Sequence, residues 1–569
     1  MTRQRARLNT PLRRSAIAMA AALTAGAAQA VEIDTGNPDW ALRFDNTIKG
    51  SLTYRLNDAD AALVDSFRQI PTGAPPPAPS SFAFPQALNF NAGDDNFRNR
   101  GFVSERVDWL GEFDAVYRRS FGLRVSAAAW YDFAYHRSTD ALDPTNGQSP
   151  YDEFADSTVD IAGQHIDLLD AFVFGGWDLG DGRKLTVRLG QFAQQWGESL
   201  FFGDNAVARA QGAIDIFKLL QSPNAQFKEI LRPTPQIGAQ LQITPTLSVG
   251  AYYQFKWIED RLPPAGSYFS SANVPWGSSL PEAVDIPPPA PIAAHYLLLP
   301  GADVEASNSG QFGVQLKWRL QETDLGLYYA QFHDKAGQLY GDLNVFNPLA
   351  SSWYYVFPED IKVLGGSASR TFGDFNVALE GSVRDDMPLR SQNMLYPGAF
   401  APAPQYATGR TAHVNLSTLA TFGPSFIARE SSVVAEIAWN RALSTDDPDN
   451  ELDKGRTRDA AAMQVIFTPT YRQALSGVDL AVPMGVRYSL AGCSSVTVWD
   501  CKGNGFFTLG LEGNVNNTWQ FALGYQQFFG SAVPFVDYSP LLAGGSAIFG
   551  QGNSLRDRSN LTFAMRYAF

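Results

Sequence analysis

The chain is poor in the residue types on which metal binding and catalysis usually depend. Its 569 residues include two cysteines and five histidines, and the histidines are scattered along the sequence. None of the patterns H-E-x-x-H, G-x-S-x-G and G-x-x-x-x-G-K-[ST] occurs in it. These absences argue against the common zinc protease, serine hydrolase and nucleotide-binding classes. We expect no catalytic residue, no metal and no cofactor.

Long apolar runs and excess basic charge are also missing. After residue 30 no uninterrupted apolar stretch is long enough for a membrane helix. The net charge is −13, whereas a nucleic-acid-binding chain needs a basic face. Nucleic acid is therefore not an expected partner, and a helical membrane protein is not the expected class.

The first thirty residues have the composition of an export signal. Arginines precede an apolar segment from Ser15 to Ala28, and Ala28-Gln29-Ala30 is a small-x-small cleavage site. The sequence predicts a secretory signal peptide over 1–30, cleaved after Ala30, and one mature domain over 31–569. The pair Arg13-Arg14 leaves a twin-arginine signal as the alternative.

Short segments in which apolar and polar residues alternate recur from end to end. A period of two is typical of β-strands with one apolar and one polar face. The candidates are 41–56, 107–118, 123–136, 165–179, 184–197, 234–243, 247–258, 310–320, 324–334, 361–371, 375–385, 411–422, 431–440, 459–468, 478–489, 505–515, 518–528 and 558–569. Tight turns such as 119–122 alternate with long connections such as 57–106.

This arrangement predicts the fold class. An even number of strands, short turns on one side and long loops on the other are typical of bacterial outer-membrane barrels. We expect an all-β fold: a single closed antiparallel transmembrane β-barrel of about eighteen strands, with long extracellular loops and short periplasmic turns. Sixteen strands is the alternative count. The expected location is the outer membrane of a Gram-negative cell, with the lipid bilayer as the first partner.

The last strand has the clearest alternation. Phe563, Met565, Tyr567 and Phe569 are apolar, and the residues between them are polar or small. This pattern predicts a lipid-facing closing strand, and its terminal Phe is similar to the signal that the barrel-assembly machinery recognises. A strand of a soluble sandwich is the alternative interpretation.

The same alternation assigns charged side chains to the barrel interior, because basic side chains facing lipid near mid-membrane cost several kcal/mol. The candidates for contact with a solute are Arg124, Arg188, Lys317, Arg319, Arg384, Arg487 and Arg566. A ladder of Arg188, Lys317, Arg319, Arg384 and Arg487 would favour an anionic solute. The alternative is that these charges pair across strands and only stiffen the wall.

The connection 198–233 is too apolar for a loop that is surrounded by water. It is expected to fold into the lumen or to cap it, with short amphipathic helices. The candidate constriction residues are Trp196, Phe201, Phe202, Phe217 and Phe227. The alternative is a structural loop that packs against the wall.

Three smaller features also suggest hypotheses. Cys493 and Cys501, eight positions apart, predict a local disulfide rather than a metal site. Asp94-Asp95-Asn96 leaves calcium binding open as an alternative to ordinary acidic loop residues. His413, Asn415 and Ser417 share one face of a strand, which leaves a lipid-modifying enzyme as an alternative to a row of polar lumen residues. The stretches Pro71–Pro79 and Pro263–Pro300 predict extended surface loops.

Several longer segments resemble the family of Gram-negative outer-membrane proteins known as domain of unknown function 1302. They are 93–98, 105–117 (ERVDWLGEFDAVY), 122–135 (GLRVSAAAWYDFAY), 195–202 (QWGESLFF), 213–236 and 382–389 (SVRDDMPL). The stretch near Asp94 has less glycine than the family's usual run. The resemblance covers the mature chain and implies no catalytic residues. It implies two partners, a periplasmic lipid-carrier-like protein and an inner-membrane transporter of the resistance-nodulation-division type.

The main functional hypothesis is an outer-membrane transport channel for a hydrophobic or amphipathic compound, anionic or lipid-like in character. A general or anion-preferring diffusion porin is the alternative that a wide lumen allows. A barrel enzyme that acts on lipids is the third hypothesis.

Overall fold

The computed structural model describes most of the chain after residue 30. The described residues are 31–64, 91–142, 148, 150–221, 230–280, 282–286, 294–342, 344, 347, 350–391, 395–396, 406–446, 452–516, 518–537 and 548–569. The predicted signal peptide with its cleavage site, the stretch Pro71–Pro79, part of the stretch Pro263–Pro300, and the candidate Phe227 lie outside them. No helix among the described residues is long and apolar enough to cross a membrane.

Eighteen strands form one closed antiparallel barrel, as predicted. They are β1 Trp40–Arg55, β2 Gly101–Tyr117, β3 Phe121–Asp132, β4 Gln164–Gly180, β5 Arg183–Phe192, β6 Thr234–Thr244, β7 Leu247–Gln254, β8 Phe312–Leu320, β9 Thr323–Phe332, β10 Ile361–Phe372, β11 Phe375–Leu389, β12 Ala407–Phe422, β13 Glu430–Ala442, β14 Asp459–Leu475, β15 Val478–Ala481 with Met484–Ala491, β16 Gly505–Val515, β17 Trp519–Phe529 and β18 Asn560–Ala568. Strand β15 is in two pieces because Pro483 has no N–H for the ladder. A three-residue strand, Val31–Ile33, adds to the start of β1.

The barrel closes where the last strand meets the first. β18 pairs with β17 on one side and with β1 on the other. The backbones of Asn46 and Phe569 exchange two hydrogen bonds, of 2.7 and 2.9 Å. Leu561 and Phe563 are exposed on the outside, whereas Ala564 is buried on the inside. The C-terminal alternation therefore marks a closing strand, as expected.

The outer face of the described strands is mainly apolar. In β8, for example, Val314, Leu316 and Trp318 are exposed, whereas Gln315 points inward and is buried. Paired aromatic rings, such as Trp40 with Tyr117, lie near the short turns. Aromatic girdles and an apolar band are what a lipid-facing barrel wall requires.

The connections alternate in length as predicted. The tight turns include Arg118–Ser120 and Asp181-Gly182, and the positive φ angles at Arg118, Arg119, Asp181 and Gly182 suit such short reversals. Several predicted boundaries are wrong: β2 begins at Gly101 rather than at residue 107, and β14 ends at Leu475 rather than at residue 468. In addition, β5 ends at Phe192 rather than at residue 197. The residues that follow Phe192 leave the wall because the chain turns into the barrel interior. Five short strands outside the barrel form a small separate sheet that joins three of the long loops: Glu282–Ile286, Ala294–Pro300, Gln338–Asp342, Ser351–Val356 and Leu395–Tyr396.

Candidate functional site in the barrel lumen

The connection between β5 and β6, residues 193–233, is called the lumen loop below, and its described residues, 193–221 and 230–233, fold into the barrel. Its described residues contact β7, β9 and, on the far side, β11, β12 and β13. Since β5 and β13 are eight strands apart in a ring of eighteen, the loop spans the interior. The sequence left open whether this loop folds into the lumen or packs against the wall. The loop crosses the lumen, and its tip packs against the opposite wall.

One wall carboxylate holds the tip of the lumen loop. Glu436 on β13 is almost fully buried. Its two oxygens accept hydrogen bonds from the backbone N–H groups of Leu200 (3.0 Å), Phe201 and Phe202 (3.1 Å), and from the Ser199 hydroxyl (2.8 Å). Successive N–H groups that converge on one anion form a nest. The segment Ser199–Phe202 is therefore shaped around a single side chain of the opposite wall.

A second carboxylate fixes both sides of the tip. Glu380 on β11 accepts hydrogen bonds from the backbone N–H groups of Glu198 and Val207, each at 2.7 Å. Gly197 has a φ of 96°, and a Cβ placed there would collide with Glu380. Only glycine suits this position, because the backbone must pass directly over the carboxylate.

The row His413, Asn415 and Ser417 on β12 binds the same loop. His413 Nδ1 lies 2.9 Å from Asn205 Oδ1, and the Ser417 hydroxyl donates to Glu198 O at 3.0 Å. Asn415 donates to Glu436 at 2.7 Å. These side chains thus serve as loop contacts, as the row of polar lumen residues predicted.

The predicted constriction residues are mostly packing residues. Trp196, Phe202 and Phe217 are buried, with 5%, 0% and 0% of their surface exposed, and Phe201 is half-buried. Phe202 packs edge-on against Trp499, with ring centroids 5.3 Å apart. The expectation that these three rings line an open constriction is wrong, because apolar rings in a folded loop turn toward the wall and bury.

The base of the lumen loop contains a short helix, Ile216–Gln221, held by an ionic cluster. Arg261 donates to Asp167 and Asp215, at 2.8 Å each, and Lys218 lies 3.1 Å from Asp167. His165 Nε2 lies 3.2 Å from Asp167 Oδ1. The cluster joins the helix to β4 and to the connection after β7. Residues 222–229, where the sequence also allowed for a short helix of this loop, lie outside the described residues.

A third buried cluster joins the middle of the lumen loop to two other loops. Arg209 donates to Asp260 at 2.6 Å and to Asp334 at 2.8 Å. Lys335 is 1% exposed, with its ammonium 3.4 Å from two backbone carbonyls. Burial, together with the adjacent Arg209, lowers the pKa of Lys335 to about 7, although Asp260 and Asp334 act in the opposite direction.

The predicted basic ladder is not formed. Arg384 is buried and donates to the carbonyls of Asp204 and Ala206, at 2.9 Å each. Arg319 lies at the periplasmic rim, 62% exposed, and pairs with Asp324. Arg487 covers the Phe202 ring at 4.9 Å. These three arginines lie on β8, β11 and β15, with two or three other strands between them. Because neighbouring strands are about 4.8 Å apart, the arginines are too far from one another to form a ladder.

The remaining basic candidates lie on the interior face. Arg124 pairs with Glu112 and approaches Asp170, so it has the scaffolding role left open as the alternative. Arg188 is exposed above Phe172 and Phe192. Lys317 is half-buried on β8. Arg566 on β18 lies directly opposite Lys49 on β1.

An apolar row on the inner wall is absent from our predictions. Leu419, Val434 and Ile466 lie directly opposite one another on β12, β13 and β14. Each lies two positions along its strand from an inward-facing residue, namely Ser417, Glu436 or Gln464, so it also faces inward. The row is on the side of those residues that is nearer to the short turns. Leu419 is 44% exposed. The sequence signal for this row is an apolar residue at a position that the alternation assigns to the barrel interior. The alternation shows which face a residue occupies, but it does not single out apolar residues on the inner face.

The acidic stretch at Asp94 belongs to an ion-pair network at the extracellular end. Asp94 lies 3.0 Å from both Arg55 and Arg558, and Arg55 also pairs with Asp557 at 2.7 Å. All four side chains are at most 4% exposed. Asp94 is therefore engaged by arginines. Within the described residues no group of three or more His, Cys, Asp or Glu side chains could hold a metal ion.

Cys493 and Cys501 form the predicted disulfide, with an S–S distance of 2.05 Å. It closes the loop that presents Trp499 to Phe202. The pairing therefore supports one of the contacts of the lumen-loop tip.

These features define the class of the protein. A closed barrel with a lipid-facing exterior and an interior occupied by an anchored loop is a porin-like outer-membrane β-barrel. The family model described as "Protein of unknown function (DUF1302)" matches residues 12–569. The chain belongs to this family, as the sequence motifs predicted.

The chain is also similar, at low sequence identity, to several solved structures. OccAB1 of Acinetobacter baumannii is 8% identical, with 93% of this chain and 96% of that chain covered and a TM-score of 0.41. OccK1 (OpdK) of Pseudomonas aeruginosa is 9% identical, with 93% and 98% covered and a TM-score of 0.38. The outer membrane channel DcaP of A. baumannii is 8% identical, with 95% and 100% covered and a TM-score of 0.36. Among curated proteins, none matches the sequence significantly.

Proposed function

We propose that this barrel is a transport channel for a hydrophobic or amphipathic compound with an anionic group. The observation that carries the proposal is the apolar row Leu419, Val434 and Ile466 on the inner wall. An interior that served only ions and sugars would expose polar side chains there, because apolar surface in contact with water costs free energy in proportion to its area. A solute with an apolar part recovers that cost.

The position of the row supports the same conclusion. The strand β12 carries Ser417, which binds the lumen loop, and then Leu419 toward the periplasmic turn. The apolar row therefore lies just below the docked tip of the loop. A compound that passes the loop meets an apolar surface before it meets the periplasm.

The resemblance to the family suggests the partners. We propose that the channel works with a periplasmic lipid-carrier-like protein and an inner-membrane transporter of the resistance-nodulation-division type. We propose no enzymatic role, because His413 and Ser417 both contact the lumen loop.

The test is permeation through liposomes that contain the purified barrel. Decanoate and arabinose are compared as amphipathic and polar solutes. The triple variant Leu419→Ser, Val434→Thr, Ile466→Thr should lose most decanoate flux and keep its arabinose flux. The matched control Leu419→Met, Val434→Ile, Ile466→Val keeps the row apolar and should retain wild-type flux. Rapid arabinose flux without preference for decanoate would exclude the proposal.

A second candidate, an anion-preferring diffusion porin, rests on Arg188 and Lys317. Neither forms an ion pair among the described residues, and both have the inward parity of the wall. If this candidate holds, Arg188→Ala with Lys317→Ala should shift the reversal potential in a KCl gradient toward cation preference. An unchanged reversal potential assigns both residues to the wall structure.

A further inference from the structure

One of the eight short turns differs from the others in length and in composition. The turn 423–429 lies between Phe422 of β12 and Glu430 of β13, so it has seven residues, whereas each of the other turns has two or three. Phe426 in this turn is 99% exposed, and Ile427 is 41% exposed. In sequence, the other seven turns contain no aromatic residue and no leucine, isoleucine, valine or methionine. The turn 423–429 is therefore the one that presents large apolar side chains.

The conformation of this turn is fixed by its own hydrogen bonds. The Ser425 N–H donates to Ala428 O at 2.9 Å. The Ser425 hydroxyl accepts hydrogen bonds from the N–H groups of Ile427 (3.2 Å) and Ala428 (3.4 Å). Pro424 also restricts the backbone just before the tip. Phe426 and Ile427 are thus held at the tip of an ordered turn, and a partner that binds them does not have to order the backbone first.

The neighbouring hairpin adds a third exposed apolar side chain. Leu475 is the last residue of β14, next to the turn between β14 and β15, and it is 68% exposed. Because β13 and β14 are paired, this hairpin is adjacent to the turn 423–429. Single exposed apolar side chains are common, but a group of them indicates an interaction surface. Phe426, Ile427 and Leu475 are called the turn patch below.

The charges beside the turn patch place it in water. Glu430, the first residue of β13, pairs with Arg472 at 3.1 Å, and both side chains are about half exposed, at 41% and 54%. The same guanidinium pairs with Asp479 at 2.9 Å. Charged groups of this kind are costly in hydrocarbon, so they mark the end of the lipid-facing wall. The turn 423–429 and Leu475 continue beyond them on the periplasmic side.

The turn patch lies below the apolar row of the inner wall. Leu419 is three residues from the end of β12 and Val434 is four residues from the start of β13, which correspond to about 10 and 13 Å along the strands. Ile466 is on β14, the strand that ends at Leu475. The three strands that carry the row are therefore the strands that lead into the turn patch. Apolar side chains occur in the lumen and again at the periplasmic end of the same part of the wall.

We propose that the turn patch docks a periplasmic carrier protein and that Phe426 inserts into the mouth of the carrier's apolar cavity. The inference rests on the proposed function and assigns the contact with the partner to a particular turn. A compound with an apolar chain cannot leave the row for bulk water without exposing that chain, at a cost proportional to its area. A protein that receives the compound needs an apolar cavity, and the mouth of such a cavity is also complementary to a phenyl ring.

Photo-crosslinking in cells that express the full chain tests the contact. Phe426→p-benzoylphenylalanine should crosslink to a soluble periplasmic protein, whereas the same replacement at Thr246, in the turn between β6 and β7, should not. The captured protein is then purified and titrated with decanoate, which a carrier of the proposed class must bind. Capture of a protein that does not bind decanoate overturns the proposal. Crosslinks only to phospholipid or only to a second copy of this barrel also overturn it, and so does the absence of a crosslink.

Calorimetric titration of the captured carrier against the full barrel in nanodiscs measures the contribution of each side chain. Phe426→Ser should raise the Kd about thirtyfold, as expected when an aromatic residue at the centre of an interface is truncated. Ile427→Ser and Leu475→Ser should raise it about threefold to tenfold, because each removes less apolar area. Phe426→Leu keeps the tip apolar and should retain most of the affinity. Leu320→Ser, at the end of β8 and 47% exposed, is the matched control and should bind as the wild type does.

The outcomes separate the docking surface from the channel. Equal carrier affinity in the wild type and in Phe426→Ser overturns the docking surface, even when decanoate permeates liposomes that contain the wild-type barrel. A loss of carrier affinity in Phe426→Ser, together with no decanoate permeation through the wild-type barrel, supports the docking surface and overturns the proposed function. An equal loss of affinity in Leu320→Ser and Phe426→Ser overturns the assignment to this turn.

Discussion

Two buried polar clusters hold loops in place, one at the extracellular end and one inside the lumen. The end cluster pairs Arg55 and Arg558 with Asp94 and Asp557, so every charge meets an opposite charge. The lumen cluster has Glu380 and Glu436, which accept hydrogen bonds mainly from backbone N–H groups. Neither glutamate forms an ion pair among the described residues. Both clusters are buried, but only the first is a network of full charges.

This difference suggests different roles. Removing one member of the end cluster leaves a full charge buried without its partner, which is among the most costly changes in a folded protein. Removing one lumen carboxylate leaves only amide groups, which water can satisfy once the loop moves away. The end cluster is thus expected to stabilise the fold, and the lumen cluster is expected to hold a loop that can be released.

The largest effect is expected for Arg558→Met. The substitution leaves Asp94 and Asp557 with one arginine between them in a buried site, so the free energy of unfolding should fall by about 4 kcal/mol. Urea unfolding in detergent micelles measures the change. Arg556→Met, two positions earlier, is the control, because among the described residues its side chain is hydrogen-bonded only to Gly530 O. Equal midpoints for the two variants would mean that the network adds no stability.

The second effect is expected for Glu436→Gln. An amide cannot hold three N–H groups and a hydroxyl as a carboxylate does, and the docked loop should lose about 3 kcal/mol. The undocked loop then gains roughly two orders of magnitude in population, since each 1.4 kcal/mol is a factor of ten. Single-channel recordings should show higher and noisier conductance.

The control for this variant is Glu430→Gln, at the periplasmic end of the same strand. Glu430 pairs with Arg472 at the rim, and it makes no hydrogen bond or ion pair with the described part of the lumen loop. Its conductance should match the wild type. If Glu436→Gln also conducts as the wild type does, the loop is not held by this carboxylate.

The third prediction concerns Lys335, whose cluster is intermediate between the other two. Its pKa of about 7 lies below the value near 10.4 of an unfolded lysine. Between these pH values the folded chain has released a proton that the unfolded chain keeps. The free energy of unfolding should therefore rise with pH from about 7 to about 10, by roughly 1 kcal/mol per pH unit.

Urea unfolding at several pH values tests this dependence as a difference between variants. Lys335→Met should flatten the rise, because the buried titrating group is gone. Lys362→Met, a lysine whose ammonium pairs with Asp386 at an exposed site, should leave it unchanged. The same slope in the wild type and in Lys335→Met would show that other groups cause it.

The fold was largely predictable because the lipid acts on every strand in the same way. A bilayer requires apolar side chains on the outward face of each strand, such as Leu316 on β8 and Phe563 on β18. The tight turns then set the register between strands. The interior has no such uniform solvent. The alternation assigns both Arg319 and Arg384 to the interior face, yet Arg319 lies at the rim and Arg384 lies under the lumen loop. Which of them contacts a loop depends on a chain segment that is distant in sequence.

The lumen loop shows the same limit from the other direction. Its apolar composition correctly predicted that it leaves the water, but composition does not say which surface the rings cover. Phe202 and Phe217 bury against Trp499 and Trp130 because those partners, 297 and 87 positions away along the chain, are brought near by barrel closure. The pairing of Glu436 with three N–H groups has no local sequence signal at all.

The smallest effect is expected for Arg319→Ala, which was a candidate of the predicted ladder. Its guanidinium pairs with Asp324 at 2.8 Å, but both side chains are about half exposed or more, at 62% and 48%. Water and salt screen such a pair, so neither the unfolding midpoint nor the ion selectivity should change measurably. Arg384→Ala removes a guanidinium that holds two carbonyls of the lumen loop, and it should change conductance. A clear selectivity change in Arg319→Ala alone would place the selective region at the periplasmic rim instead of under the loop.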